Sequence, residues 1–220
     1  LVAGLSDRYR CIVPDHIGMG LSDKPDDAEY DYTLASRIED LATLLAHLGI
    51  DGKVSLAVHD WGGMIGFGWA LRDPSRIARL VVLNTAAFPL PAEKPMPWQL
   101  KLGRDSRLGA LAIRAFNAFS SAASRVGVCT PMPPDVRAAY VAPYNSWANR
   151  IATLRFVQDI PLAPGDKAWA LVEESGRRLH EYADRPALLA WGLRDFVFDA
   201  HFLRGFEQKL PQAQSLIFDD

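Results

Sequence analysis

The ten residues Val54-Ser-Leu-Ala-Val-His-Asp-Trp-Gly-Gly63 carry the chain's clearest chemistry. An apolar, β-branched run ends on a carboxylate, Asp60, and then on a Gly pair. The spacing small-x-nucleophile-x-small is that of a nucleophile elbow, a sharp strand-to-helix turn that exposes one reactive side chain. Serine in that place needs a base. A carboxylate does not: it attacks a carbon electrophile directly and forms a covalent ester or anhydride. The backbone N–H of Trp61 opens the following helix and faces an oxygen on which charge develops, and its indole N–H is placed to hold a leaving group. Gly62, Gly63 and Gly66 suit a helix that closely approaches a strand, while Val58 is bulkier than the usual small residue there. The competing reading makes Asp60 an ordinary N-cap, a much commoner role for Asp before a helix. The strand-turn-helix context and the neighbouring Trp favour the nucleophile.

An elbow needs elements on both sides. Residues 10–13 read as a short apolar strand, followed by the Gly-punctuated loop 14–23. Thr33 is placed to cap a helix to about residue 49, with Leu34, Ile38, Leu41, Leu45 and Leu48 on one face. Asp51-Gly52 turns the chain into strand 53–59; helix 61–72 stops at Asp73-Pro74, and 79–84 is a second apolar strand. This alternation, with uniformly apolar strands, predicts a parallel sheet covered on both faces. From Phe88-Pro-Leu-Pro91 to about Pro186 no strand is legible. Helical stretches near 97–125, 135–143, 147–157 and 166–182 lie there, divided by Pro-rich breaks at 131–134 and 161–164. Strand 187–191, helix 200–210 and strand 213–218 follow. The expected division is a core over 1–90, a helical cap over 91–185 and the core resumed over 186–220.

With 220 residues, 49% of them hydrophobic, the chain can bury one sizeable core. A formal net charge of -2 argues against nucleic acid or an anionic membrane as partner. Two cysteines, Cys11 and Cys129, argue against a disulfide framework and for a reducing cytoplasm. No apolar run is long enough to span a bilayer. The first residues have neither an initiator Met nor signal-peptide grammar, and the last strand stops two residues before Asp220. Both ends read as cuts through a fold.

The chain resembles the α/β-hydrolase superfamily in its Asp-nucleophile branch. His59-Asp60-Trp61-Gly62-Gly63 is similar to the elbow of haloalkane dehalogenases and epoxide hydrolases, and Pro14-Asp-His-Ile-Gly-Met-Gly-Leu-Ser22 to the loop after that family's third strand. Tyr140-Val-Ala-Pro-Tyr144 is similar to a cap motif of the dehalogenases. Three further stretches, 83–91, 145–151 and 154–162, look most like the β-lactone decarboxylases of long-chain olefin biosynthesis. The resemblance implies an α/β-hydrolase fold, mostly parallel sheet flanked by helices, with an inserted helical cap and with N- and C-terminal parts of the core missing. It implies no cofactor and no metal.

An Asp nucleophile in this family works with a His that a carboxylate orients. After the strand preceding the cap stands Asn84, which is uncharged; after the strand following it comes Gly192-Leu-Arg-Asp195. Asp195 thus matches the post-cap acid, although a loop aspartate is often a turn residue, and Asp199 reads as the opening of helix 200–210. None of the five histidines fits the third role. His16, His47, His180 and His201 read as structural or solvated, and His59 should point away from its neighbour because strand residues alternate faces. The expectation is a longer enzyme with its histidine beyond Asp220. The 220 residues alone would be inactive, and extension at both ends would restore turnover.

Phe119, Tyr144 and Trp147 are the candidates for a substrate pocket under the cap. Leu111, Ile113, Phe116 and Phe119 suit a long alkyl chain and equally suit plain packing. Lys101, Arg104 and Arg107 read as a solvated helix face. The implied activity is decarboxylation of a cis-β-lactone (a 3-alkyl-4-alkyloxetan-2-one) to an olefin and carbon dioxide, with attack at either the carbonyl or the alkyl carbon. Haloalkane dehalogenation is an alternative, and so is epoxide hydrolysis with Tyr140 or Tyr144 protonating the epoxide. A non-catalytic binding protein on the same fold is the remaining one. The implied partners are a small apolar substrate and olefin-pathway enzymes such as a β-lactone synthetase.

Overall fold

The computed structural model describes residues 1–219. A short helix α1 (Val2–Leu5) precedes an irregular stretch. Next come α2 (Leu34–His47), β1 (Val54–Asp60), α3 (Trp61–Ala70) and β2 (Ile77–Thr85). A wholly helical segment follows: α4 (Trp98–Asp105), α5 (Arg107–Phe116), α6 (Ala118–Val126), α7 (Pro134–Val141), α8 (Ile151–Gln158) and α9 (Trp169–Arg178). The chain then returns as β3 (Ala187–Gly192), α10 (Ala200–Lys209) and β4 (Gln214–Phe218).

Among the described residues the sheet has four strands, all parallel, in the order β1-β2-β3-β4. Leu80 of β2 pairs with Ala187 of β3, so the helical segment is inserted between strands that lie side by side. Parallel order puts every strand's carboxyl end on the same edge, where open α/β sheets bind ligands. Asp60 ends β1 and the loop carrying Asp195 leaves β3, so both carboxylates reach that edge.

The helix starting after Thr33 forms as its spacing predicts. The Thr33 hydroxyl accepts the Ser36 N–H at 3.3 Å, and Leu34, Ile38 and Leu45 are buried. Phe206 of α10 joins the layers, packing against Phe67 of α3 at 6.2 Å, Trp191 of β3 at 5.8 Å and Phe88 at 5.0 Å between ring centroids. Within β3 only alternate residues (Ala187, Leu189 and Trp191) are fully buried, and their neighbours are half-buried.

Three expectations change. Residues 10–13 pair with no strand among the described residues, because an apolar run becomes a strand only where a partner edge is offered. The predicted stretch 97–125 is three helices. Ser106 ends one and caps the next, its hydroxyl accepting the Gly109 N–H at 2.9 Å, and Asn117 adopts left-handed backbone at φ 52°. Helix α9, expected within the cap, packs against α3. A Cβ at its Gly176 would lie 2.6 Å from the Phe88 Cβ, so this close approach requires glycine.

Candidate active site

Asp60 has φ 49° and ψ −126°, a conformation that residues with a Cβ rarely adopt. Its side chain makes no capping hydrogen bond to α3. The strained backbone leaves the carboxylate without a capping bond into the first turn, while the Trp61 N–H at the very start of α3 faces it. The pairing of β1 with β2 slips between Val58 and Asp60, marking where the strand gives way to the turn. Close packing holds the turn. A Cβ at Gly63 would collide with the Thr85 hydroxyl and the Ala86 carbonyl, and one at Gly66 would sit 2.8 Å from Val58 Cγ1. Gly62 has no such constraint, its nearest neighbour being 3.9 Å away.

Thr85, fully buried at the end of β2, is the bolt of this elbow. Its hydroxyl donates to the Asp60 carbonyl and accepts the Gly63 N–H at 3.1 Å. Thr85→Val removes both bonds at nearly constant volume. It is expected to lower kcat at least tenfold and to cost about 1–3 kcal/mol of stability, whereas Thr85→Ser keeps both close to the parent. Turnover measurements and thermal melts of the two variants check this.

The elbow opens on a cavity of about 390 Å³. Its wall is mostly apolar, with Phe88, Leu100, Phe119, Phe156, Leu162 and Phe202 among the lining residues. Polar groups are few: Asp60, Trp61, His16, His59 and Thr153. Protein crowds around Asp60, yet its surface stays open to solvent. Burial pushes its carboxyl above the usual carboxylate range, moderated by that open surface. The Trp61 N–H and the His59 imidazole pull it down without cancelling the rise, and the Asp195 charge pushes it up. Trp61 stands edge-on to Phe156 at 5.3 Å, and its indole N–H has no protein partner among the described residues.

Asp195 lies in the loop after β3. Its Oδ1 accepts the Val197 N–H at 2.7 Å and the Phe198 N–H at 2.9 Å. One oxygen therefore builds the turn, and Oδ2 has no partner among the described residues. The loop is pinned from several sides. Asn84 Nδ2 donates to the Gly192 and Phe198 carbonyls at 2.9 and 3.1 Å, and its Oδ1 accepts the Gly192 N–H at 2.8 Å. The Trp191 indole N–H donates to the Phe198 carbonyl at 2.7 Å. Lys94, nearly buried, meets Asp199 at 2.7 Å. Asn84 thus gives the loop three hydrogen bonds in the place where a charge was considered. Asp199 opens α10 by accepting the His201 N–H at 2.9 Å.

The histidines depart from expectation in two places. His59 shares the cavity with Asp60, because the reversed backbone at Asp60 breaks the strand's alternation of faces. His16 also lines the cavity; burial and the nearby Arg37 charge hold its imidazole below the usual histidine value. The sequence signal that could have found it is its place in the Gly-rich loop 14–23. Among the described residues no histidine hydrogen-bonds either Asp60 or Asp195. The histidine expected past Asp220 lies outside the described residues.

Of the three pocket candidates, Phe119 stands on the cavity wall. Tyr144 sits behind it, its hydroxyl 3.3 Å from the Met19 sulfur, and Trp147 is 53% exposed under the Arg114 guanidinium. Neither lines the cavity, and Tyr140, the other candidate acid for an epoxide, is 62% exposed.

A parallel sheet, an elbow at a strand's carboxyl end and a helical segment inserted between neighbouring strands define the class. The chain belongs to the α/β-hydrolase fold family, whose model matches residues 1–220. It is 66% identical to the cis-3-alkyl-4-alkyloxetan-2-one decarboxylase of Xanthomonas campestris pv. campestris, a match covering 100% of this chain and 75% of that protein. It is 58% identical to the protein of the same name from Shewanella oneidensis, covering 100% of this chain and 70% of that one. Its fold is similar to the crystal structure of the ancestral haloalkane dehalogenase AncHLD2, with a TM-score of 0.85, 26% identity and 98% and 76% of the two chains covered.

Proposed function

We propose that the chain is a decarboxylase of cis-3-alkyl-4-alkyloxetan-2-ones that uses Asp60 as a covalent nucleophile. The observation that carries this reading is the Asp60 carboxylate, held in strained backbone and free of any capping bond, at the floor of an apolar cavity. The two decarboxylase relatives supply the substrate class.

The chemistry balances without water. Asp60 attacks the ring carbon bearing the alkyl group and the ring oxygen, and the carbon–oxygen bond breaks as strain is released. The product is an ester to Asp60 with a free carboxylate on the neighbouring carbon. That carboxylate leaves as carbon dioxide, its bonding electrons form the carbon–carbon double bond, and Asp60 departs as the leaving group. Inversion at attack followed by anti loss preserves the cis relation. Through the first step the Trp61 indole and backbone N–H groups stabilise the oxygen that gains charge. Asp195 orients a histidine in this reading. The small apolar substrate fits the apolar wall, and the ring requires a β-lactone-forming enzyme upstream. No helix among the described residues is long and apolar enough to cross a membrane.

The test is a cis-β-lactone labelled with ¹⁸O at the ring oxygen, incubated with the enzyme extended at both ends beyond residues 1–220. The expected products are the cis olefin and carbon dioxide that carries all of the label. Label in water or in the protein overturns attack at the alkyl carbon, and no olefin overturns the activity. The dehalogenase reading is kept by the free Trp61 indole N–H in the cavity; sustained bromide release from a 1-bromoalkane without olefin from the lactone would establish it instead.

A further inference from the structure

The inserted helices carry a surface that neither the sheet nor the cavity uses. On α4 the residues Trp98, Lys101, Leu102 and Asp105 fall at i, i+3, i+4 and i+7, and all four are exposed. The opposite side of α4 buries Gly103 and lines the cavity with Leu100. Helix α5 packs against α4 and repeats the arrangement: Gly109 and Ile113 are buried, while Arg107, Leu108 and Leu111 face solvent. Leu108 and Phe116 are 77% and 76% exposed. An outward helix face on a soluble protein is ordinarily polar, so large apolar residues presented this way indicate an interaction surface.

Charge tells which kind. Between residues 97 and 150 there are seven Lys and Arg against two Asp, in a chain whose formal net charge is -2. Lys101 and Arg107 have no acidic partner among the described residues. The balanced total argued against an anionic surface; the balance is between a basic insertion and an acidic remainder. Trp, Leu and Phe interleaved with unpaired cations on adjacent helices fit the interface of an anionic bilayer, with rings and branched chains below the headgroups and the cations among the phosphates.

We propose that α4 and α5 dock the protein on an anionic lipid surface, with Trp98, Leu102, Leu108, Leu111 and Phe116 as the inserted groups and Lys101 and Arg107 as the headgroup contacts. Leu100 on the inner side of α4 and Phe119 at the start of α6 line the cavity, so the docked helices stand between bilayer and cavity. This goes beyond the proposed reaction and does not depend on it.

The test is flotation of the chain with vesicles of phosphatidylcholine alone or enriched in phosphatidylglycerol. Binding is expected to be at least about tenfold stronger to the anionic vesicles and to weaken as salt is raised. The pair Leu108→Glu with Phe116→Glu is expected to abolish binding, and Lys101→Glu with Arg107→Glu to weaken it about tenfold or more, with unchanged thermal melts. No binding to either vesicle, or equal binding to both, overturns the proposal, as do variants that melt normally and bind like the parent. Should a variant misfold, the salt dependence of the unaltered chain decides alone. A concentration-dependent dimer lost in Leu108→Glu, without vesicle binding, would assign the face to a second copy and overturn it equally.

Discussion

Asp60→Asn is expected to stop turnover and, at neutral pH, to raise the melting temperature. In the proposed mechanism the Asp60 carboxylate forms the covalent intermediate, so kcat should fall on the order of 10⁴-fold or more. The stability gain has the opposite sign because the site is built for chemistry rather than for folding. Burial raises the Asp60 carboxyl above its unfolded value, so the folded state favours the uncharged form. What that preference contributes is fully present below the unfolded value, about pH 3.9, and is lost as pH rises through the folded value. Asn stays neutral throughout. The variant's advantage should therefore be absent near pH 3, grow as pH climbs through the carboxylate range and level off toward neutrality. Because Asp60 faces an open cavity, the screened gain is about 1 kcal/mol. Melts across pH check it; an advantage that is constant with pH would show that the carboxylate's charge is not its source.

The largest effect on folding is expected behind the cavity wall. Arg37 of α2 is fully buried and meets Asp159, at the end of α8, at 3.0 Å. Its guanidinium lies 3.6 Å from the Phe156 ring centroid and 5.0 Å from that of Trp61. Asp159 also accepts the Leu34 N–H at 2.7 Å, tying the start of α2 to α8. Burial pushes both groups toward their neutral forms even though each is pulled the other way by its partner. Desolvation thus outweighs pairing for both, as it commonly does inside proteins. The two single variants should differ. Asp159→Leu leaves an arginine that cannot shed its proton and is expected to cost about 3–5 kcal/mol. Arg37→Met leaves a carboxyl already inclined to protonate and is expected to cost about 1–3 kcal/mol. The double variant should recover most of the loss, and urea denaturation of all three closes the cycle. Equal single costs with no recovery would mean that packing, rather than charge, governs the site.

The elements were legible wherever one local rule decided them. Thr33, Asp73-Pro74, and the apolar strands at β1, β2 and β3 each follow from neighbours in sequence, and the structure has them within a few residues. Residues 10–13 were not legible, since a strand depends on a partner edge. Neither was the course of α9: an amphipathic helix does not say which surface it will cover, and only the glycine contact at Phe88 places it on the sheet side. In the site, Asp60 and Trp61 were readable because an elbow is a local object. His16, Thr85 and the second face of His59 were not, because each acts on or beside Asp60 from elsewhere in the chain or through a reversed backbone.

The sequence by itself determined a parallel α/β sheet and a carboxylate at a strand-to-helix elbow. These are properties of periodicity and turn chemistry. Only the tertiary structure decided that Asp60 is no ordinary helix cap, because its side chain makes no capping hydrogen bond into α3. The tertiary structure likewise put Phe119 on the cavity wall and left Tyr144 and Trp147 off it. It also set Trp98, Leu102, Leu108 and Phe116 on an exposed helix face beside Lys101 and Arg107. Composition sums charges over the whole chain, whereas a surface is felt only by what touches it, and helix packing chooses which residues those are.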